Sequence, residues 1–541
     1  MKPNAKNIKF AAFGTIAGVL LALLAVACKN SVSNPPLLIP PEEAETPIPD
    51  DEVTAAPTTF TEQPAQATLV LQDESAVLSC TADGETVTYQ WYEAADSTGN
   101  SGTPIALATG RTLSTPAFSA PGIRYYYCVA SAGGMSEKSR VAAVAYTGLP
   151  ALYLDLDRPL ASITKDDYAL GKMRIAQPDG TEFEYEFTKS GKEGIKGRGN
   201  SSWRLDKKGY NIKLDKKQGL FGLPKAKKWC IVANHSDKTL LRNKFASVLG
   251  NDVLGEAGGE WNPHFVSVDV VVNGEYHGNY LFGERITLTE GRVDVPDITE
   301  AADLSDGGFI LEVDSRLDAE FTFKTDLKAV PFTLKDPDEV GADVQAHIMR
   351  IVNTAEAALY GDSFADVADG WRNYLDEASF IDWFIVNEFA KNNDAIFFTS
   401  VYMYYNPADG KLHMGPNWDF DIGFGNVNYN GCDDPTGWWI KGAKWIARLF
   451  EDETFVANLK SRWNEVKPAI SMKSSTELRA LAAANSVSAE LNFARWQILG
   501  KYVWPNPAGY EHRTTYQSEV DWMADWLERR YDWLDGAIKG L

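Results

Sequence analysis

Gly415-Pro416-Asn417-Trp418-Asp419-Phe420-Asp421-Ile422-Gly423-Phe424-Gly425-Asn426 is the stretch on which the reading of this chain turns. It sets two carboxylates and two amides among glycines and aromatic residues. Asp419 and Asp421 lie two apart, and residues two apart on an extended strand share a face. Two carboxylates on one face repel unless a cation sits between them, and a hard divalent ion is the usual solution. Upstream, Lys391-Asn392-Asn393-Asp394 supplies another acid. Between the two acidic stretches, Val401 to Met414 reads as a hairpin about the turn Asn406-Pro407-Ala408-Asp409-Gly410. A hairpin folds its ends together, so the pattern predicts Asp394 and Asp419 in one cleft.

Working outward, the part before this stretch alternates like a sheet and the part after it repeats like helices. Ala151 to Leu156, Met173 to Ala176, Glu182 to Phe187, Tyr210 to Leu214 and Trp229 to Ala233 read as strands. Val266 to Val272 and Tyr276 to Phe282 flank Asn273-Gly274, a hairpin turn. Ser236 or Asp237 is the expected N-cap of a helix running through Phe245. Ala342 to Leu359 carries a helical period, and Phe380 to Phe389 is an apolar helix feeding Asn392-Asn393-Asp394. A strand lysine (Lys213), a glycine- and cation-bearing turn (Gly197-Arg198-Gly199), a crossover at Gly283 to Ile286, a loop Asp and an Asp-Phe-Asp follow one another in the order of a two-lobed kinase. The fold class expected is α+β.

Five separate runs carry a more specific resemblance. They are Gly197 to Trp203, Tyr210 to Leu214, Ala233 to Lys238 with Leu241-Arg242-Asn243, Gly278 to Leu281, and Trp418 to Asp421. In this order they resemble the CotH family, the atypical kinases typified by spore coat protein H, over roughly residues 150 to 540. The resemblance implies a divergent, two-lobed protein-kinase-like domain over residues 149–541, with ATP and Mg²⁺ as cofactors and Ser or Thr of protein partners as acceptors. It implies Asp394 as the catalytic-loop aspartate, and Asp419 and Asp421 as metal ligands. Lys213 and Arg198 are the phosphate contacts it suggests, with Glu284 in the interlobe crossover beside the nucleotide. The chain has no Gly-x-Gly-x-x-Gly loop, Asn392-Asn393-Asp394 replaces His-Arg-Asp, and Thr399 stands where a magnesium-binding Asn is usual. The residues by themselves leave other roles open: a helix- or turn-capping Asp394, structural calcium at Asp419 and Asp421, a solvent-facing Lys213, a turn-bracing Arg198, a surface Glu284, and an ordinary signal peptide or single membrane anchor at the N-terminus.

The N-terminal part reads as export machinery and a spacer. Lys2, Lys6 and Lys9 precede an apolar run that ends at Leu24-Ala25-Val26-Ala27-Cys28, a lipoprotein-type signal over residues 1–28 with Cys28 as the lipidated residue. Residues 29–60, rich in Pro, Glu, Ala and Thr, read as an extended tether. Residues 61–148 alternate short strands and turns, and Cys80, Trp91 and Cys128 have the spacing of an immunoglobulin-like sandwich, in which a disulfide packs on the Trp; Tyr126 takes the tyrosine-corner position. Together these features place the protein as a membrane-anchored lipoprotein at the bacterial surface or in the periplasm.

Charge and composition exclude several classes. Fifty-two Lys and Arg stand against 74 Asp and Glu, a net charge of −22, so no excess of cations exists for nucleic-acid binding. The six histidines show no ligand spacing and indicate no zinc site. Cys230 falls in a core strand and reads as a buried thiol; a link to Cys432 is not readable from sequence. Trp438, Trp439 and Trp445 read as core aromatics, with a carbohydrate platform as the other option. The alternative to an enzyme is a non-catalytic surface adhesin or scaffold that binds host protein or polysaccharide.

Overall fold

The computed structural model describes residues 58–541. Cys28, the signal segment and nearly all of the tether lie outside the described residues. Among the described residues no helix is long and apolar enough to cross a membrane. The architecture is mixed α+β.

The first described part is a small β-sandwich. Ala67–Leu69, Ala142–Tyr146, Gly122–Ala132, Thr88–Ala94 and Gly102–Pro104 form one sheet in that order, and Thr59–Glu62 with Thr81–Asp83 and Val77–Ser79 with Thr112–Ser114 form short ribbons. Its core gathers Leu78, Cys80, Trp91, Leu113, Cys128 and Val144. Trp91 is fully buried and donates its indole N–H to the Gly110 carbonyl (3.0 Å). Two expectations are corrected here. Cys80 and Cys128 are both buried in the sandwich core and stand as free thiols, not a disulfide. The Tyr126 hydroxyl bonds no backbone group among the described residues, so no tyrosine corner forms.

Next comes an eight-stranded sheet. Its order is Glu182–Phe187, Gly171–Ala176, Ala151–Leu156, Phe265–Val272, Glu275–Glu284, Ala226–Val232, Gly209–Gln218 and Gly194–Arg198. The expected hairpin closes on Asn273 and Gly274, both at positive φ (50° and 82°), which turns of this kind require. Leu152, Ile175, Ile212, Trp229, Ile231, Val268 and Phe282 fill this sheet's own core.

A second, larger core belongs to a five-stranded sheet and the helices around it. That sheet runs Thr322–Lys324, Pro331–Asp336, Phe309–Val313, Val401–Asn406 and Lys411–Met414. The expected hairpin is present, with Met403 opposite Met414 and Asn406 opposite Lys411. The Glu377–Ala390 helix is capped by Asp376, whose carboxylate accepts from the Ser379 N–H, and is buried on nearly all sides, as its apolar sequence demands. Glu453–Met472, Leu478–Arg495 and Tyr516–Lys539 supply the helical C-terminal part. Trp445, Trp463 and Trp526 are fully buried, while Trp438 and Trp439 pack against the same core, which is the core reading of the tryptophans.

One helix starts later than its sequence suggested. It spans Arg242–Val248, with Leu241 at the N-cap. Asp237 is spent on a turn: it accepts from the Thr239 N–H (3.0 Å), the Arg242 N–H (2.9 Å) and the Arg242 guanidinium. The side chain expected to cap still satisfies the first helical N–H, but from five residues away.

Candidate active site

A cavity of about 750 Å³ opens between the two cores. Its wall from the eight-stranded sheet carries Lys196, Arg198, Lys213, Lys228 and Arg285; the opposite wall carries Asp394, Asp419, Asp421, Glu312 and Arg316. A volume of this size suits a nucleotide-sized ligand. Lys213, Arg198, Asp394, Asp419 and Asp421 thus face one space, although they span over two hundred positions in sequence. Glu284 does not. It is fully buried behind the wall, takes the His264 N–H (3.0 Å) and Nδ1 (2.8 Å), and pairs with Arg292 (3.3 Å). Its place as a nucleotide contact is therefore corrected: Arg285 and Ile286, just past the end of the strand, border the cavity instead.

The acidic wall is built from the opening stretch, though not as a strand. The chain leaves the sheet at Met414, and Asp419 and Asp421 sit in a loop that ends in a turn. They reach the same cavity because the loop is pinned, not because of a two-residue period. Asn262 Oδ1 takes the Asn417 N–H (2.8 Å), Asn243 Oδ1 takes the Phe420 N–H (2.8 Å), and Asn426 Nδ2 donates to the Asp421 and Ser236 carbonyls (2.7 and 3.2 Å). Asn387 Nδ2 bonds Asn417 Oδ1 (2.7 Å), and Asn392 donates to the Asp419 carbonyl (3.3 Å). The Asn-rich runs before Asp394 and around Asn243 are thus loop braces. Gly425 is obligatory: its φ is +77°, and a Cβ there would meet the Trp526 ring at 2.7 Å.

Asp419 and Ser400 face each other, with Ser400 Oγ donating to Asp419 Oδ2 (3.1 Å), and both hold left-handed backbone (66° and 60°). Such conformations cost energy outside glycine and gather at functional sites. The Asp394 carboxyl is pushed up to about 7, first by burial and then by the nearby Asp419 charge, with Arg316 pulling it back. Asp421 is raised well above the carboxylate range, by burial first and then by Asp419, Asp237 and Asp394, against Arg198. No protein donor contacts the Asp394 or Asp421 carboxylate among the described residues. The three acids therefore repel one another in the cavity, and none of them forms an ion pair with a protein cation among the described residues. An all-oxygen, hard, anionic set fits a magnesium ion.

The basic wall has its own supports. Arg198 lies over the Trp418 ring (5.3 Å to the centroid) and joins the two walls through that contact. Gly197 lets the Trp203 ring approach to where its Cβ would stand (2.2 Å). The Lys213 ammonium lies 6.0 Å from the Tyr168 ring centroid and forms no ion pair among the described residues. Thr399 is not available to a metal: its hydroxyl bonds Arg316 (2.7 Å) and Asp314 (3.4 Å).

Sequence reasoning missed several cavity residues. Lys335 pairs with Glu312 (2.8 Å), Arg316 pairs with Asp314 (2.9 Å), and Lys228 pairs with Asp338 (3.0 Å). The one available signal was a charge at the end of an apolar strand, as in Asp314-Ser315-Arg316 after Phe309–Val313. His235 was read as structural; it is buried at the cavity edge with an unpartnered Nδ1 and is held low, to about 4, by burial and the Lys207 charge.

An α+β chain with two cores, separated by a cleft that is cationic on one wall and acidic on the other, is the class of protein described so far. The family model described as CotH kinase protein matches residues 195–534, and the chain belongs to that family. No curated protein matches. Among solved structures, a Dscam structure on isoform specificity matches at 14% identity and TM-score 0.15, covering 30% of this chain and 44% of that one. The titin domains z1z2 in complex with telethonin match at 17% identity and TM-score 0.14, covering 30% of this chain and 89% of theirs. The chain thus spans less than half of that Dscam structure's length.

Proposed function

We propose that this protein is an exported, two-lobed atypical kinase that transfers the γ-phosphoryl group of ATP to Ser or Thr hydroxyls of protein partners. The observation that carries the reading is the facing arrangement of Asp394, Asp419 and Asp421 with Arg198 and Lys213 across one cavity. Asp419 and Asp421 would hold magnesium, which when bound neutralises charge on the phosphate oxygens. Asp394, poised near neutrality, would accept a hydrogen bond from the acceptor hydroxyl and orient its oxygen toward the phosphorus. Lys213 and Arg198 would balance the phosphate charge from the opposite wall, and the Arg198–Trp418 contact would keep the walls in register. As the acceptor oxygen bonds to phosphorus and the bond to ADP breaks, the hydroxyl proton passes to Asp394.

The test is transfer from labelled ATP to a protein acceptor. Asp419→Ala should reduce transfer by 10²-fold or more, and Lys213→Ala by a smaller factor felt mainly in KM for ATP. Transfer that survives Asp419→Ala overturns the assignment. Absence of transfer, together with ATP-independent binding to cells or glycans, favours the scaffold reading.

A further inference from the structure

The geometry points to a second cation site, in a separate cavity that shares no lining residue with the first, where His413, Glu260 and Asp376 would hold a first-row divalent metal, zinc in preference to manganese. It goes beyond the phosphotransfer reading and does not depend on it. One ligand atom from each residue lies within 4.8 Å of the others, and the His413 Nδ1 to Asp376 Oδ1 distance is 3.8 Å. Ligand atoms around a four-coordinate zinc stand about 3.4 Å apart, so a small adjustment closes the set.

The imidazole is oriented for this. Its Nε2 lies 2.9 Å from Asp409 Oδ2, while Asp409 Oδ1 takes the Lys411 N–H (3.1 Å). Nδ1 lies 2.5 Å from Glu260 Oε1, so a proton is shared there; were a metal to displace it, the carboxylate on Nε2 would hold the ring's other N–H, the usual arrangement behind a metal-bound histidine. Nδ1 faces Glu260 and Asp376. The Tyr404 ring stacks on the imidazole (4.9 Å, 19°) and fixes its plane. Asp376 is fixed in turn by the Ser379 N–H (2.8 Å). Glu260, with a side chain one-third exposed, is the ligand free to move as a metal enters. The proton at Nδ1 supplies the positive charge between Glu260 and Asp376, and it is the charge a bound metal would replace.

The nearby cations are committed elsewhere. Arg372 pairs with Glu377 and Asp452, and Arg462 with Asp382 and Glu465. Lys411, on the same wall, forms no ion pair with these acids among the described residues. A cavity of about 700 Å³ reaches His413, Glu260 and Asp376 and leaves room for water ligands. Mixed imidazole and carboxylate donors favour zinc over manganese and calcium.

The position gives such a metal a purpose. Asp376 begins the helix that leads to Asp394, and His413 begins the run that leads to Asp419. The Glu260 loop reaches the same run through Asn262, which holds the Asn417 N–H. A metal here would staple together the distant ends of the elements that present the catalytic-site acids.

The experiment uses the full chain, stripped with chelator and titrated with zinc chloride by calorimetry, with bound metal counted by elemental analysis. Wild type should bind one more equivalent than His413→Gln or Glu260→Gln, and Asp419→Ala should keep that equivalent. Zinc should also raise the melting temperature of wild type but not of His413→Gln. Should His413→Gln fail to fold, Glu260→Gln carries the comparison, because its side chain reaches solvent. Equal zinc content in wild type, His413→Gln and Glu260→Gln overturns the site and leaves an imidazolium bound by carboxylates.

Discussion

Glu388→Gln should destabilise this protein by about 4 kcal/mol, although it changes one oxygen to nitrogen. Glu388 and Arg530 are both fully buried and form an ion pair of 2.7 Å. Glu388 Oε1 also takes the Trp439 N–H (2.9 Å), and Oε2 takes the Lys441 N–H (2.9 Å). The terminal nitrogens of Arg530 also donate to the Pro435 and Gly437 carbonyls (2.9 and 2.8 Å) and to the Glu388 carbonyl. Burial pulls the guanidinium down from its usual range, and Glu388 offsets part of that shift. With glutamine in place, the buried cation loses its counter-charge, which costs about 3–5 kcal/mol. A glutamine NH₂ also meets one of two backbone N–H donors, and an unpaired buried N–H costs about 1–3 kcal/mol. Partial relaxation makes these overlap, hence a value near the middle.

The assay is urea unfolding followed by tryptophan fluorescence, since Trp445, Trp463 and Trp526 report this core. Arg530→Met combined with Glu388→Gln should cost less than the sum of the single changes, because no charge is then left alone. The same change should lower phosphotransfer. Lys391 holds the carbonyls of Gly431, Asp434 and Thr436 (2.8, 2.8 and 2.7 Å), so it ties the loop Arg530 anchors to the residues just before Asp394. A loss below about 1 kcal/mol in Glu388→Gln would refute the reasoning, since the pair would then carry no net buried charge.

Lys207 is fully buried and burial lowers it from 10.5 to about 7, so between about pH 7 and 10 the unfolded chain binds a proton that the folded chain does not. Stability conferred by Lys207 should therefore rise with pH across that window, by at most about 1.4 kcal/mol per pH unit. The wild-type minus Lys207→Met difference, measured by urea unfolding at pH 7, 8 and 9, should grow, and a flat difference contradicts the burial argument. Mild oxidation should join Cys80 and Cys128, removing two thiols from a thiol titration and stabilising the sandwich by up to about 4 kcal/mol for a loop of this length. An unchanged thiol count in unfolded, oxidised protein would show that the two sulfurs do not meet.

The fold was legible wherever local pattern and tertiary outcome agreed. The Asn273-Gly274 hairpin, the Val401 to Met414 hairpin and the Ala342–Tyr360 helix are fixed by turn chemistry or period, and each stands where the sequence puts it. The loop Asp419-Phe420-Asp421 was misread as strand because its conformation is set by side chains distant in sequence: Asn243, Asn262, Asn387 and Asn392. No local period encodes a bond from Asn262 to Asn417. Glu284 was misplaced for a related reason. Alternation says which strand residues share a face, but not which face borders a cleft, and Arg292, eight residues on, decided the matter. His413 escaped notice because its partners Glu260 and Asp376 lie far away in the chain, joined only by the sheet and a helix start.

The two walls of the cavity also explain how a chain of net charge −22 can receive a polyanion. Charges beyond a Debye length, about 8 Å in physiological salt, are screened, so the global excess of acid hardly reaches a ligand in the cleft. What such a ligand meets is local. Lys196, Arg198, Lys213, Lys228 and Arg285 come from one sheet, and mutual repulsion holds Lys196 low once burial has begun the shift. Asp394, Asp419 and Asp421 come from the other side and repel each other in the same way. Lys228 pairs across the cleft with Asp338 (3.0 Å) and Asp336 (3.7 Å), but Asp394, Asp419 and Asp421 form no ion pair with the basic wall among the described residues, and Arg198 meets the acidic loop on the face of Trp418. An anion bound to the basic wall and a cation bound to the acidic wall would each relieve its own repulsion. A salt formed from the two, such as the metal polyphosphate of the proposed reading, would relieve both at once.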